Sequence, residues 1–458
     1  MRLALAGVLA ACGAPSPPVA PIAGHAPQGQ VLQVWRAVTK TDPFGAIGNV
    51  VVSWDSTRGG IVERSATTGT ETGFRRIEGS HTNGTPEVWQ PTAAGIVTGW
   101  GGGSDLTLVH DRNGVLSVGW SQADDWWGSP YVTIGTTLWG ARARTHSALE
   151  AVDLADGSVR WLVKFPDDAQ DVKVGGDATT IMLARERYMV TPPNGAGDIH
   201  RVIAAFDAKT GAARWQNEIP IEPNSVEVGS GGAIAALDDS LLLFDAATGH
   251  VAKRPFAHTY PSMLVDQGLA FVIDDVDKLV TAYRLVDGST VWSIKHTVGH
   301  GSHLAAHDDL VIMTTEAGTA LALDRGSGAV RWEVGTGVVA TKLAVTDAAV
   351  VMFDDHEVGG FALPRSTPAQ ETATIHGIVR RVECGTVKET PINVGGHEVS
   401  PDANGHFVAQ VTGVGFVRVS GPYYSRLEKP HTNFAVIELT GKGDYATPDL
   451  DLNICPSE

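Results

Sequence analysis

Excess basic charge is what this sequence lacks first. Lys and Arg total 34 against 51 Asp and Glu, a net charge of −17 at pH 7, and the acids are scattered along the chain. A nucleic-acid partner needs a basic footprint to displace counterions, and adsorption onto anionic lipid needs the same sign; the composition excludes both. Long apolar runs are missing too, since none reaches the ~20 residues that span a bilayer as a helix. Nor is there a G-x-S-x-G elbow, a P-loop or a zinc-protease signature. Gly101-Gly102-Gly103-Ser104 lies between two strand-like runs with no Lys and no helix after it, so it reads as a hairpin turn. Cysteine is scarce, with Cys12, Cys384 and Cys455 as the whole complement.

Glycine, at 53 residues, is abundant and suits a fold with many tight turns. An apolar fraction of 43% with 19% charged residues fits a well-packed soluble protein. The 458 residues exceed one ordinary domain, so one large repeat fold, alone or with a small companion, is expected.

Met1-Arg2 followed by the apolar stretch Leu3 to Leu9 and then Ala10-Ala11-Cys12 resembles the lipobox of bacterial lipoproteins. There, small residues admit the signal peptidase and the thiol takes the lipid. The resemblance implies a signal segment over 1–12, lipidation at Cys12 and a tether over 13–29 that opens Gly13-Ala14-Pro15-Ser16-Pro17-Pro18. The apolar region is shorter than usual; a mis-assigned start or an ordinary apolar N-terminus also fits. Gly13 after the cysteine resembles the outer-membrane sorting pattern of Gram-negative lipoproteins.

Self-similarity is the strongest signal. Ala151-Val152-Asp153 leads through Gly157 to Trp161, and Ala205-Phe206-Asp207 through Gly211 to Trp215. Ala282-Tyr283-Arg284 leads through Gly288 to Trp292, and Ala322-Leu323-Asp324 through Gly328 to Trp332. A copy at Leu243-Phe244-Asp245 keeps Gly249 but has Lys253 where the others have Trp. Weaker copies turn at Gly69 and Asn113-Gly114. The seven turn glycines (69, 114, 157, 211, 249, 288 and 328) are 45, 43, 54, 38, 39 and 40 residues apart. A period of ~40 residues carrying four short alternating strands is a propeller blade. Ala348–Phe353 and Val358–Leu363 then supply inner strands of one more, and Val31–Trp35 is an orphan strand of the right type to complete it and close the ring. The expected fold class is all-β: an eight-bladed β-propeller, a count of seven also fitting, over residues 30–365. Trp35, Trp161, Trp215, Trp292 and Trp332 are expected to dock each blade on its neighbour.

These units resemble the quinoprotein alcohol dehydrogenase-like repeat family, with its Ala-x-Asp-x-x-x-Gly-x-x-x-Trp consensus. The family holds quinone-dependent dehydrogenases and also scaffolds, such as the propeller lipoprotein of the outer-membrane barrel-assembly machinery. Dehydrogenase members carry a vicinal cysteine pair, a calcium site and long insertions. The propeller region here contains no cysteine and only short insertions, so no catalytic residue, no cofactor and no metal site is expected.

Other candidates are local. Asp124-Asp125-Trp126-Trp127 offers Trp126 and Trp127 as a platform for a sugar or a protein, or one ring docks a blade and the other caps a loop. His296, His300, His303 and His307 have helical spacing, but Gly299 and Gly301 interrupt it, leaving loop histidines between an outer strand and the next inner strand. Asp274-Asp275-Val276-Asp277 and Asp354-Asp355-His356-Glu357 are acidic turns with at most unspecific calcium capacity.

Pro364 to Gln370 breaks the repeat. Beyond it, Thr374–Val379, Pro391–Gly396 and Ser400-Pro401-Asp402-Ala403-Asn404-Gly405-His406-Phe407 are similar to the carboxypeptidase regulatory-like domain, which implies a small β-sandwich over 366–458. Cys384 and Cys455 lie near its two ends. An oxidising compartment would bridge them, closing a loop of about 70 residues worth roughly 4 kcal/mol; two unrelated buried thiols are the alternative. The expected protein is a monomeric, non-enzymatic lipoprotein of the cell envelope, in the outer membrane, that binds envelope proteins and no nucleic acid and touches membrane only through its anchor. Binding of glycan or another surface ligand is the alternative, and quinone-dependent oxidation is the enzymatic one.

Overall fold

The computed structural model describes residues 22–23 and most of 33–452. Outside the described residues lie 1–21, 24–32, 39–42, 56–57, 59, 77–85, 93–94, 101–105, 113–114, 123–130, 143–147, 166–168, 190–197, 220–222, 257–260, 297, 299–301, 316, 341, 355–356, 365–370, 383–390, 414, 421–433, 440–442, 448–449 and 453–458. Every regular element among the described residues is a strand, and no helix there is long and apolar enough to cross a membrane.

After β1 (Ile22–Ala23) and β2 (Gln33–Val38), strands come in fours. The first antiparallel meander is β3 (Pro43–Ile47), β4 (Val50–Asp55), β5 (Gly60–Ser65) and β6 (Glu71–Arg76). The second is β7 (Pro86–Thr92), β8 (Gly95–Trp100), β9 (Leu106–Arg112) and β10 (Val115–Gln122). The third is β11 (Tyr131–Ile134), β12 (Thr137–Arg142), β13 (Ala148–Asp153) and β14 (Val159–Lys164). The fourth is β15 (Ala169–Gly176), β16 (Thr180–Met189), β17 (Asp198–Asp207) and β18 (Ala213–Ile219). The fifth is β19 (Ser225–Gly229), β20 (Gly232–Ala236), β21 (Ser240–Asp245) and β22 (Val251–Pro255). The sixth is β23 (Ser262–Asp266), β24 (Leu269–Asp274), β25 (Leu279–Arg284) and β26 (Thr290–Lys295). The seventh is β27 (Leu304–His307), β28 (Leu310–Thr314), β29 (Thr319–Asp324) and β30 (Val330–Thr336).

A last sheet is composite. β31 (Lys342–Val345), β32 (Ala349–Phe353) and β33 (Glu357–Ala362) are followed in space by β2 and then β1, both from the N-terminal side. β2 pairs antiparallel with β33, Trp35 standing opposite Gly360, and a buried Arg36–Glu357 ion pair ties the two strands. The first strand of each sheet touches the first strand of the next, and β31 returns to β3. The arrangement is propeller-like: a cycle of sheets with aliphatic side chains buried between them.

A recurrent irregularity sets the joints. In the third, fourth, sixth and seventh sheets the pairing of third and fourth strands slips by one residue just past an alanine facing the tryptophan: Ala151↔Trp161, Ala205↔Trp215, Ala282↔Trp292 and Ala322↔Trp332. A β-bulge re-aims side chains, and the small alanine leaves room for the indole. No such slip occurs between β21 and β22, where Lys253 faces Leu242. The side-chain alternation there is displaced, and Arg254 is the residue that reaches the next sheet. The 54-residue interval has a plain cause: β16 and β17 form a hairpin in register from Thr180↔Asp207 out to Met189↔Asp198, longer than its counterparts.

The C-terminal residues add β34 (Glu371–Val382), β35 (Ile392–Val394), β36 (His397–Val399), β37 (His406–Gly413), β38 (Gly415–Ser420), β39 (Phe434–Leu439), β40 (Asp444–Ala446) and β41 (Leu450–Leu452). β34 carries β37 on one side and β40 and β41 on the other, while β38 pairs with β35 and β39. Ile375, Phe407 and Val411 from the first group share a core with Val394, Val419 and Ile437 from the second. The Asp402 turn before β37 is locally determined. Asp402 Oδ1 accepts from the Asn404 and His406 amides, Gly405 takes φ +84°, and Phe407 enters the core. This unit is joined edge-on to the ring, because β38 runs parallel to β30.

Candidate functional site

Four of the repeat tryptophans are accounted for by joints between sheets. The indole N–H of Trp35 donates to Ala66 O at 2.8 Å, Trp161 to Ala208 O at 3.0 Å, Trp215 to Ala246 O at 2.8 Å and Trp292 to Arg325 O at 2.7 Å. Each acceptor lies three residues before a turn glycine of the following sheet. The ring covers that glycine: a Cβ on Gly211, Gly249 or Gly328 would stand 2.7–2.8 Å from ring atoms of Trp161, Trp215 or Trp292. Positive φ (+71°, +71° and +72°) requires glycine independently. At the joint without tryptophan, the Arg254 guanidinium donates to the carbonyls of Asp287, at 3.1 Å, and Gly288. Trp332 differs, lying edge-on to Phe361 at 5.6 Å with its buried indole nitrogen unpartnered by any hydrogen bond.

The turns carry their own electrostatics. Asp207 Oδ1 accepts from Lys209 and Thr210 amides, and Arg214 pairs with its other oxygen at 3.0 Å. The hydrogen bond from Arg214, then those from Thr210, hold the Asp207 carboxyl down at about 2. Asp324 is likewise held at about 2, chiefly by Arg331 and then Ser327. These are structural carboxylates.

A polar pair sits between innermost strands. Lys173 on β15 and Glu227 on β19 meet at 3.1 Å, with 32% and 35% of their side chains accessible. Desolvation nevertheless raises the Glu227 carboxyl above its ordinary value, with Lys173 pulling it back. The signal was available in the repeat: Val172-Lys173-Val174-Gly175 aligns with Val226-Glu227-Val228-Gly229, opposite charges on neighbouring units.

The meander places connections at two ends. Turns from first to second and from third to fourth strand share one end, which holds the Asp–Gly turns. Turns from second to third strand and crossovers to the next sheet share the other. That second end carries the long β16–β17 hairpin, where Arg201 and Glu186 pair at 2.8 Å with little exposure and Arg185 stacks over Phe165 at 4.7 Å. It also carries the Asp274 turn, where Asp274 Oδ1 accepts from the Val276 and Asp277 amides, Lys278 Nζ donates to Val298 O at 2.7 Å, and Val276 is 64% exposed. His296 and His303 belong to this end. His307 does not: it closes β27 at the opposite end, 3.5 Å from Asp308. The histidine series is therefore split, and no cluster of three or more metal-ligating side chains occurs among the described residues. Cys12, Cys384, Cys455, Trp126 and Trp127 lie outside the described residues.

A family model described as outer membrane protein assembly factor BamB matches residues 48–294 and 276–362. The chain belongs to this family. Among solved structures, it is similar to BamB from Moraxella catarrhalis, at 16% identity over 70% of this chain and 95% of that one, with a TM-score of 0.43. It is similar to the computationally designed Ika8 protein at 14% identity over 76% and 100%, TM-score 0.52. It is also similar to the quinohemoprotein alcohol dehydrogenase ADHIIG from Pseudomonas putida HK5 at 10% identity over 72% and 75%, TM-score 0.41. The fit to the designed protein speaks for the fold, and fold alone does not assign a function. No curated protein matches the chain.

Proposed function

We propose that this protein is a lipid-anchored, non-enzymatic scaffold of the outer membrane that binds envelope proteins through its propeller, in the service of outer-membrane protein assembly. One observation carries the reading: the matched family is described as an outer membrane protein assembly factor, and the match runs through the repeat units from 48 to 362. The propeller has eight blades in this reading, supported by the cyclic contacts of the innermost strands and by β2 completing the last sheet. The C-terminal unit is a carboxypeptidase regulatory-like sandwich, supported by the Asp402 turn and the shared core under Phe407. Cys384 and Cys455 staple that unit, and Cys12 carries the lipid. Partners bind at the end holding the β16–β17 hairpin and the crossovers. That end varies from sheet to sheet, whereas the opposite end is committed to Asp–Gly turns and joints, and variable loops on a rigid frame are where recognition resides.

Affinity capture from envelope extract with the full-length protein tests this. Co-purification of barrel-assembly proteins, weakened by Val276→Lys at the exposed turn of the same end, is expected; enrichment of polysaccharide instead would move the protein to glycan binding. Incubation with the quinone and calcium is expected to give no dye reduction, and reduction would overturn the non-enzymatic reading. Cys12→Ala is expected to abolish incorporation of labelled lipid.

A further inference from the structure

The composite sheet closes the cycle without a covalent turn: β33 and β2 are neighbours in space but lie at opposite ends of the ring's sequence. A third-to-fourth-strand turn is therefore missing there, and with it the carbonyl and the glycine that receive a tryptophan elsewhere. Trp332 points at that place and meets Phe361 with no hydrogen bond for its indole nitrogen. The C-terminal unit occupies the same region. Phe416, 5% exposed, shares one buried cluster with Val34 of β2, with Trp332, Val334 and Val338, and with Phe361, and Val436 packs against it.

We infer that the C-terminal unit is a clasp on the ring closure, its strand β38 and Phe416 holding the N-terminal strand β2 in the last sheet.

The backbone fits this assignment closely. β38 pairs in parallel with the end of β30, Gly335 opposite Gly415 and Thr336 opposite Phe416. Any Cβ on Gly335 would collide with the carbonyl of Phe416, and one on Gly415, at φ +90°, would collide with Gly335 O and press Val34 Cγ2 at 3.1 Å. Gly337 is equally confined, by Val436 Cγ1 at 2.7 Å, and its carbonyl accepts from buried Arg418 at 3.2 Å. Three glycines and a buried arginine at one seam are the marks of a permanent joint between units, not of a module on a free linker. β2 consequently has β33 on one edge and β38 across its end.

Hydrogen–deuterium exchange on the full-length protein tests the clasp. Phe416→Ser is expected to speed exchange in peptides covering residues 33–38 by about tenfold or more, while peptides from the remote fifth sheet, 225–255, stay as in the wild type. Phe416→Leu is expected to give the same pattern at a few-fold, and it decides the matter should the serine variant not fold. Val408→Ser, on an exposed position of the same unit (58% exposed), is expected to leave 33–38 unchanged. Loosening of the C-terminal unit in the Phe416 variants with 33–38 protected as in the wild type would overturn the inference.

Discussion

Trp292 and Trp332 hold the same place in consecutive repeats and meet different surroundings. Trp292 covers Gly328 and donates to Arg325 O at 2.7 Å. Trp332 has no such carbonyl and lies edge-on to Phe361, in a cluster completed by Val34 and Phe416. The first joint is made entirely by the repeat. The second, at the seam, borrows residues from both ends of the chain. A repeat can therefore specify every contact between its copies and still leave its closure to segments that are not repeats.

Four substitutions or comparisons probe that contrast. The largest effect is expected for Trp292→Ala, which empties a joint and should cost about 3–5 kcal/mol in denaturant unfolding; a loss under about 1 kcal/mol would mean the joint is decorative. Gly328→Ala places a Cβ 2.7 Å from the Trp292 ring at φ +72°, so about 2–3 kcal/mol is expected. Gly326→Ala in the same turn, with nothing closer than Asp324 Oδ1 at 3.6 Å, should stay within about 0.5 kcal/mol. Replacement of each tryptophan by phenylalanine removes the same ring volume at both joints, together with an indole N–H that is hydrogen-bonded at Trp292 and not at Trp332. Trp292→Phe should then cost about 1 kcal/mol more than Trp332→Phe, and equal costs would contradict the difference between the joints.

The smallest effect is on acid stability. Asp207 and Asp324 are lowered from 3.8 to about 2 in the folded protein. A depressed carboxyl contributes stability that is complete above its unfolded pKa and fades as pH falls toward the folded one. The advantage of the wild type over Asp207→Asn should therefore be steady above about pH 4 and shrink as pH drops toward about 2. A difference that stays constant over that window would show that Arg214 does not stabilise the charged form.

Much of this architecture was legible because the repeat is written in residues with steric reasons. Ala, Asp, Gly and Trp recur where a bulge, a capped turn, a positive φ and a covering ring require them. The orphan strand around Trp35 was legible for the same reason. Arg254 was not, since reading it required knowing that β21 and β22 pair without the slip found elsewhere. The split of the histidines was hidden because spacing says nothing about which end of a strand a residue occupies. Lys173 and Glu227 could have been found by aligning the units, but only as a charge pattern and not as a contact across two sheets. The seam was beyond reach: nothing in Gly335, Gly415 or Phe416 announces that residues separated by some 80 positions form one parallel pair.

Scanning calorimetry of the full-length protein tests most directly whether ring and C-terminal unit are one body. A single cooperative transition is predicted, with calorimetric and van't Hoff enthalpies in agreement and a midpoint that falls as a whole in Phe416→Ser. Two separate transitions, with the substitution moving only the smaller, would contradict the account.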